Sequence, residues 1–278
     1  MPELPEVRAH AERLDTELSG ATLAQFTPLT FTALKTAVPG PDEAVGHPLR
    51  RVGQRGKYLL LEFEPVTFVV HLMQGGRLRP DAKRSAKPRG GIARWTFEGD
   101  AALLLTEAGT ERKAGVWVVP DATGDPPPLE GLGPDADTVS ADDLLPLLHE
   151  RSGRLHGFLR DQHGVAGLGR RLANEICHRA RLSPFASTAK LDLDDAGRLV
   201  AAIHDCVDEG LAFERARDDM SSSKERPGAV HHRKGEACPV CGDAVRAVEY
   251  RAYEVAYCPT CQTDGRILAD NTTSKFLK

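Results

Sequence analysis

The chain begins with a run that holds two prolines and two glutamates within seven residues: Met1-Pro2-Glu3-Leu4-Pro5-Glu6-Val7. Because the residue after Met1 is small, we expect the methionine to be removed, which would give Pro2 a free secondary amine. A chain-terminal amine has a pKa of about 8, so it is partly neutral at neutral pH and can attack a carbonyl carbon to form an iminium. Glu3 is adjacent and could transfer protons for that reaction. The same residues also suit an ordinary helix start, where proline and glutamate are common.

Directly after this run, apolar residues recur at helical spacing. The positions that share one helical face are Val7, Ala11, Leu14 and Leu18. Gly20 then ends the pattern. The spacing predicts a helix over residues 3–19.

The next hundred residues read as strands. Apolar runs that are separated by Gly, Pro and Asp at hairpin spacing occupy residues 58–63, 67–72, 92–97, 102–106 and 116–119. Such a pattern predicts an antiparallel sandwich or barrel with one leading helix.

After residue 120 the pattern changes twice. Residues 120–140 are rich in Pro, Gly and Asp, which is typical of a linker between domains. The periodicity then predicts helices over residues 142–151, 153–160, 170–181 and 192–212. Residues 217–236 contain three serines in a row and few apolar residues, so we expect a mobile loop there.

Composition describes a soluble globular protein with an uneven charge distribution. The chain has 278 residues, of which 41% are hydrophobic and 27% charged, and no apolar run approaches the roughly 18 residues of a membrane span. Acidic residues stand where a signal peptide would be basic and apolar, so we expect a cytoplasmic location. The net charge is −4, yet residues 50–94 hold 11 Lys and Arg against 3 acidic residues, and residues 151–190 hold 8 against 2. Basic segments on an acidic protein suit a cleft for a polyanion, although solvated surface charge would explain either segment alone.

Two pairs of cysteines near the C-terminus have the spacing of a metal site. Cys238 and Cys241 form one pair, Cys258 and Cys261 form the other, and sixteen residues separate the pairs. This spacing predicts one structural zinc ion with no open coordination position, on a ribbon of two strands. A pair of disulfides is the alternative, which a cytoplasmic location disfavours. The remaining two, Cys177 and Cys206, fall in helical patterns and are expected to be small buried apolar residues.

Two further segments could contact phosphate. Lys57 follows a glycine and precedes an apolar strand, where it could bind a phosphate or donate a proton, unless it is an ordinary surface lysine. Residues 159–176 read as helix, glycine-spaced turns and helix, an arrangement whose amide groups and helix N-terminus can point at a DNA phosphate. Ordinary packing of two helices is the alternative.

Taken together, these motifs resemble the formamidopyrimidine-DNA glycosylase and endonuclease VIII family. The resemblance spans nearly the whole chain and implies an α+β multidomain protein. The implied parts are an N-terminal helix with an antiparallel β-sandwich over residues 1–125, a linker over 126–140, a helix–two-turns–helix domain over 141–230 and a zinc ribbon over 231–278.

The resemblance also implies the catalytic residues. Pro2 would attack C1′ of a damaged nucleoside that is flipped out of the duplex, because C1′ is out of reach inside the stack. Glu3 would relay protons, Glu6 would support the N-terminal helix, and Lys57 would bind phosphate and assist elimination. The implied activity is that of a bifunctional DNA glycosylase and abasic-site lyase in base excision repair.

Several positions depart from the family pattern. Arg170 stands in place of a phosphate-binding Asn, His156 in place of a Lys, and Tyr253 in place of an Arg, with Arg251 the nearest basic residue. A Met that probes the duplex after His71 is replaced by Gln74, and an Arg-Arg-Phe triplet is replaced by Arg112-Lys113-Ala114. The residues carried over as DNA contacts are Arg170, His71, Gln74, Arg112, Lys113 and Arg251.

From these departures we expect β-elimination at abasic sites with little δ-elimination, and weak or altered excision of oxidised purines. The expected partner is damaged double-stranded DNA, the expected cofactor one structural Zn²⁺, and the expected state a monomer associated with the nucleoid and not with membranes. Two alternatives stay open. One is a DNA-binding protein of the same fold without glycosylase activity, and the other is an RNA-binding zinc-ribbon protein.

Overall fold

The computed structural model describes residues 1–109, 113–120, 126–221, 225–251 and 253–268. The chain divides into two compact units. The first contains Met1–Gly131 together with Asp218–Met220, and the second contains Leu132–Arg217 and Ser221–Lys278. The finer boundaries at residues 125, 140 and 230 stay predictions.

The first unit opens with the predicted helix. Helix α1 spans Leu4–Leu18, with Glu3 as its N-cap and Pro5 in its first turn. The four residues predicted to share a face are all buried. Gly20 follows with a φ of +86°, a conformation that glycine adopts without strain. The helix prediction is confirmed, and its apolar face belongs to the core of this unit.

Within the described residues of the first unit, two antiparallel sheets face each other across one core. The first sheet has the order β1 (Leu23–Pro28), β6 (Gly91–Phe97), β7 (Ala102–Glu107) and β5 (Gly76–Pro80). The second has the order β2 (Arg51–Arg55), β3 (Tyr58–Glu62), β4 (Val66–His71) and β8 (Gly115–Pro120). The predicted strands and the predicted sandwich are confirmed. Strands β1, β2 and β5 also lie in the stretch that the sequence predicts to be strands, outside the five apolar runs given above.

Aromatic side chains fill the space between the sheets. Phe26 contacts both Phe68 and Trp95, with ring centroids 5.3 Å and 5.1 Å apart. The edge-to-face geometry of Phe26 and Trp95 is a favoured arrangement for aromatic pairs. Met220 also belongs to this core and is only 6% exposed, although it lies far along the chain.

A buried ion pair lies in the first sheet. Arg94 Nε donates to Asp81 Oδ2 at 2.7 Å, and the Arg94 Nη2 donates to the carbonyl of Ser85 at 2.6 Å. Both charged side chains are about nine-tenths buried. Their charges compensate each other in a place where either one alone would be costly.

The second unit is helical, with a short hairpin near its end. Its helices are α2 (Ala141–Glu150), α3 (Leu155–Phe158), α4 (Arg170–Arg179), α5 (Leu193–Arg215) and α6 (Pro259–Gln262), and its hairpin pairs β9 (Arg246–Tyr250) with β10 (Tyr253–Tyr257). The helix predicted over residues 153–160 is only four residues long, because glycines and turn residues follow it. Residues 126–140 of the predicted linker contain no helix or strand, yet Ala136 and Val139 are buried in this unit. Cys177 and Cys206 are buried as predicted.

The segment predicted as a mobile loop is held by the carboxylates of Glu175 and Glu214. Glu175 accepts hydrogen bonds from the backbone N–H groups of Ala229, Val230 and His231 at 2.7, 3.1 and 2.8 Å. Glu214, which is fully buried, accepts from the backbone N–H of Ser221 at 3.0 Å. The described residues of this segment contain no helix or strand. The Glu175 anchor was not predicted, since it joins residues more than 50 positions apart in sequence.

Candidate functional site

The first candidate site surrounds the start of the chain. Pro2, Glu3 and Glu6 are all buried. The backbone N–H of Glu3 donates to Glu6 Oε2 at 2.9 Å, so the Glu6 carboxylate fixes the point where α1 begins. The two carboxyl side chains therefore lie next to the terminal residues.

The terminal amine lies within electrostatic reach of several side chains. Burial lowers the pKa of the Met1 amine, the carboxylates of Glu3 and Glu6 raise it, and the cations Lys57 and Arg77 lower it. The lowered pKa increases the neutral, nucleophilic fraction of the amine near neutral pH. Three predicted catalytic residues are therefore brought together here. Arg77 was not predicted, because a basic residue in a strand has no distinctive sequence signal.

Lys57 lies in the turn between β2 and β3. The turn needs a left-handed residue, which Gly56 supplies with a φ of +55°. Lys57 is only 8% exposed, which argues against the ordinary surface lysine. Gln54 ties this turn to α1, since its Oε1 accepts from Arg8 Nε at 3.2 Å and its Nε2 donates to the carbonyl of Gly56 at 3.2 Å.

His71 ends β4 and lies opposite Tyr58 of β3. Its Nδ1 accepts a hydrogen bond from the backbone N–H of Met73 at 3.1 Å, which leaves the proton of the neutral ring on Nε2. Burial, together with the positive charges of Lys57 and the terminal amine, lowers the pKa of His71 to about 4. His71 is therefore an uncharged donor near the start of the chain.

The loop after His71 carries other predicted contacts. Met73 has a φ of +51°, a strained conformation for a side chain of this kind. Gln74 is exposed beside it, and Lys113 is exposed in its own loop. Arg112 lies outside the described residues.

The second unit holds a cluster of cationic and aromatic side chains that we call the Tyr253 cluster: His156, Arg160, Arg170, Tyr250 and Tyr253. The Cζ atoms of Arg160 and Arg170 lie 4.5 Å and 5.2 Å from the centroid of the Tyr253 ring. Tyr250 stacks on Tyr253 with ring centroids 4.7 Å apart, and His156 lies nearly parallel to it at 6.4 Å. Three departures from the family pattern therefore meet in one place. Arg160 was not predicted, and the predicted Arg251 is exposed in the nearby turn.

The four cysteines form a cluster that can hold a metal ion. Their sulfur atoms all lie within 4.8 Å of one another, and the pairs Cys238–Cys261 and Cys241–Cys258 are 3.9 Å and 3.3 Å apart. Four sulfurs at the usual Zn–S bond length of about 2.3 Å would be roughly 3.8 Å apart, so the arrangement fits tetrahedral coordination. His178 Nε2 lies 3.3 Å from Cys238 Sγ, a contact that resembles the hydrogen bonds that orient metal ligands.

No helix in the described part of the chain is long and apolar enough to cross a membrane.

Comparison with known proteins agrees with this geometry. Residues 1–115 match the model of the formamidopyrimidine-DNA glycosylase N-terminal domain. A formamidopyrimidine-DNA glycosylase of Pelotomaculum thermopropionicum is 30% identical over 276 residues, which cover 94% of this chain and 99% of the relative. An uncharacterized formamidopyrimidine-DNA glycosylase-like protein of Mycobacterium tuberculosis is 41% identical over 161 residues, which cover 56% of this chain and 99% of the relative.

Solved structures share the fold over almost the whole chain. The MutM (Fpg) protein of Thermus thermophilus is 29% identical with a TM-score of 0.79, and the match covers 94% of this chain and 98% of that one. The Lactococcus lactis enzyme bound to DNA with an abasic site has a TM-score of 0.81 at 21% identity, covering 94% and 99% of the two chains. The predicted fold class is confirmed. By its full-length relatives and its matching N-terminal domain, the chain belongs to the formamidopyrimidine-DNA glycosylase family.

Proposed function

We propose that this protein is a DNA glycosylase of base excision repair that also acts as an abasic-site lyase, with Pro2 as nucleophile. The observation that carries the proposal is the group around the terminal amine. Glu3, Glu6 and Lys57 are buried around the start of the chain, where burial lowers the pKa of the Met1 amine, and removal of Met1 would leave the Pro2 amine among the same side chains. A neutral amine between proton donors and acceptors suits iminium chemistry.

The proposed reaction proceeds in balanced steps. After removal of Met1, the Pro2 nitrogen forms a bond to C1′ of the damaged nucleoside, and the base leaves with the bonding electrons and a proton. Opening of the sugar gives an iminium, which acidifies the C2′ proton. Loss of that proton breaks the bond between C3′ and its oxygen, so the downstream fragment leaves with a 5′-phosphate. Water then hydrolyses the iminium and restores the amine.

Each buried group has a distinct role in the proposal. Glu3 exchanges protons with the sugar and with the departing base. Lys57 binds the phosphate next to the reacting sugar and stabilises the charge that develops when the C3′ bond breaks. His71 stays uncharged, since its pKa is about 4, so it donates a hydrogen bond without repelling the iminium.

The remaining predicted residues bind DNA or metal in this proposal. Cys238, Cys241, Cys258 and Cys261 would hold one zinc ion, which supplies a structural cross-link and leaves no open position for catalysis. Arg170, Gln74, Lys113, Arg251 and the undescribed Arg112 would contact the duplex. We expect β-elimination with little δ-elimination, because Tyr253 stands where the family has an arginine.

Borohydride reduction tests the proposal, because it converts the iminium into a stable cross-link. Protein whose N-terminus is verified by mass spectrometry would be incubated with duplexes that carry an abasic site, 8-oxoguanine, formamidopyrimidine, an oxidised pyrimidine or uracil. We expect a cross-link that is strongly reduced in Pro2→Gly and absent when the terminus is extended. Lys57→Gln should slow cleavage, and Lys190→Gln, which changes an exposed lysine elsewhere, should not.

The second candidate is a DNA-binding protein without glycosylase activity. The altered residues His156, Arg170 and Tyr253 favour it, since each replaces a residue of the family pattern. Binding of abasic duplex without any cross-link would support this candidate and contradict the proposed mechanism. Preference for RNA over abasic duplex in competition would contradict both candidates.

A further inference from the structure

The Tyr253 cluster concentrates positive charge at the start of α4. Both guanidinium carbons lie close to the same ring, at 4.5 Å and 5.2 Å from its centroid, so they are less than about 10 Å apart. Among the residues that the structure describes, Arg160 forms no ion pair with a carboxylate. Helix α4 begins at Arg170, and its N-terminus adds about half a positive charge.

His156 lies against the same ring and is only 4% exposed. Its Nε2 is buried and has no hydrogen-bond partner among the described residues. Burial lowers the pKa of His156, the charges of Arg160 and Arg170 act in the same direction, and hydrogen bonds with Asn174 and the Arg170 backbone oppose them, which leaves a pKa of about 3 and a neutral ring. The cluster therefore combines two cations with a buried, neutral imidazole.

The positive charge of the Tyr253 cluster distinguishes between two kinds of phosphate ligand, an internal phosphodiester and a terminal phosphate monoester. An internal phosphodiester of DNA carries one negative charge, which a single arginine neutralises. A terminal phosphate monoester carries about −1.5 to −2 near neutral pH and offers three acceptor oxygens. Two guanidinium groups and a helix N-terminus match the second ligand better than the first.

We propose that the Tyr253 cluster is a binding site for the terminal phosphate monoester of a broken DNA strand. Arg160 and Arg170 would grip the phosphate from two directions, and Tyr253 is a positioning residue that holds both guanidinium groups by cation–π contact. The elimination proposed above leaves such a monoester, so the inference extends the proposed function to recognition of its product. The binding itself requires no catalysis.

Binding of nicked duplexes tests the inference without any reaction. The duplexes would carry no abasic site and would differ only at the nick, with a 5′-phosphate, a 3′-phosphate or hydroxyl groups on both sides. Fluorescence anisotropy with the full chain should show at least about tenfold tighter binding to a phosphorylated nick, the gain of one charge-assisted hydrogen bond. The two phosphorylated arms show which end the site prefers.

Variants link the preference to the cluster. Arg160→Gln, Arg170→Gln and Tyr253→Leu should each remove most of the preference, while Tyr253→Phe, which keeps the ring, should retain it. Arg181→Gln is the control, because it also removes one positive charge but at an exposed residue just after the C-terminus of α4, and it should retain the preference. Lowering the pH from about 7.5 to about 5.5 should weaken the preference, because the monoester then loses its second charge and His156 stays neutral.

Equal affinity for phosphorylated and hydroxyl nicks would overturn the inference. It would also be overturned if the arginine variants weakened binding to every duplex by the same factor, since the cluster would then bind ordinary backbone phosphates. Neither result affects the borohydride test of Pro2, and failure of that test leaves this binding experiment unchanged.

Discussion

His10 makes the stability of the first unit sensitive to acid. It lies on the buried face of α1 and is only 5% exposed. The ring Nε2 is 2.7 Å from the carbonyl oxygen of Leu78 and donates to it, while Nδ1 is buried with no partner among the described residues. Burial lowers the pKa of His10 to about 4, with Arg13 and Arg79 lowering it and the Leu78 carbonyl and Asp219 opposing them.

The direction of the effect follows from that pKa. In the unfolded chain histidine has a pKa of about 6.5, so between pH 6.5 and pH 4 the unfolded state binds a proton that the folded state excludes. Folding is therefore fully favoured above pH 6.5 and loses free energy as the pH falls. At about pH 5 the loss from this one ring amounts to roughly 2 kcal/mol relative to pH 8.

The assay is urea unfolding followed by tryptophan fluorescence. Both tryptophans of the chain, Trp95 and Trp117, lie in the first unit, so the signal reports on that unit. His10→Gln keeps an amide donor for the Leu78 carbonyl and cannot titrate. Between about pH 8 and pH 5, the wild-type free energy of unfolding should fall by roughly 2 kcal/mol more than that of the variant.

The comparison isolates one ring, because every other titratable group is present in both proteins. If the two proteins lose stability in parallel as the pH falls, the proton-excluding role of His10 is wrong. A variant that is less stable by the same amount at every pH would show only the loss of packing.

Other predictions concern the same two units. Asp81→Ala leaves the buried Arg94 without its carboxylate and should lower the free energy of unfolding by about 3 kcal/mol, measured by the same fluorescence assay; an effect below 1 kcal/mol would contradict the pair's burial. His178→Ala removes the contact to a cysteine sulfur and should weaken zinc binding about 10- to 100-fold in competition with a chelator, without changing the number of zinc ions bound at saturation. Gly76→Ala places a Cβ 2.1 Å from the carbonyl oxygen of Leu72, so thermal unfolding should shift down by at least about 4 °C, and an unchanged midpoint would show that this turn can move.

The fold was predictable where the sequence has strong periodicity. The buried face of α1 and fully buried strands such as β4 can be predicted from the sequence, because an element buried on one or both sides has apolar residues at every buried position. Strand β2 does not have such a pattern, since its residues Arg51–Arg55 include only one large apolar side chain. Pairing with β3 makes it a strand, and pairing is a property of the tertiary structure.

The candidate site was predictable only where its residues lie in motifs. The terminal run, Lys57 and the cysteine pairs have spacings that carry chemical meaning. Arg77 and Arg160 do not, and they enter their clusters through contacts between residues far apart in sequence. The convergence of Arg170 and Tyr253 is likewise invisible in the sequence, where each is a separate departure from the family pattern.

The position of Met220 in the sequence affects when the first unit can complete its core during synthesis. A ribosome delivers every strand of the first unit before it begins the second, yet the side chain that completes the first core emerges only after α5. A fragment released at Gly131 would contain the whole sandwich with a gap in the place of this methionine, a defect that typically costs about 2–5 kcal/mol. Until Met220 has been synthesised, the core of the sandwich is therefore incompletely packed. If recombination joined the first half of this chain to a different second half at Gly131, the new second half would have to supply a side chain that fills the position of Met220.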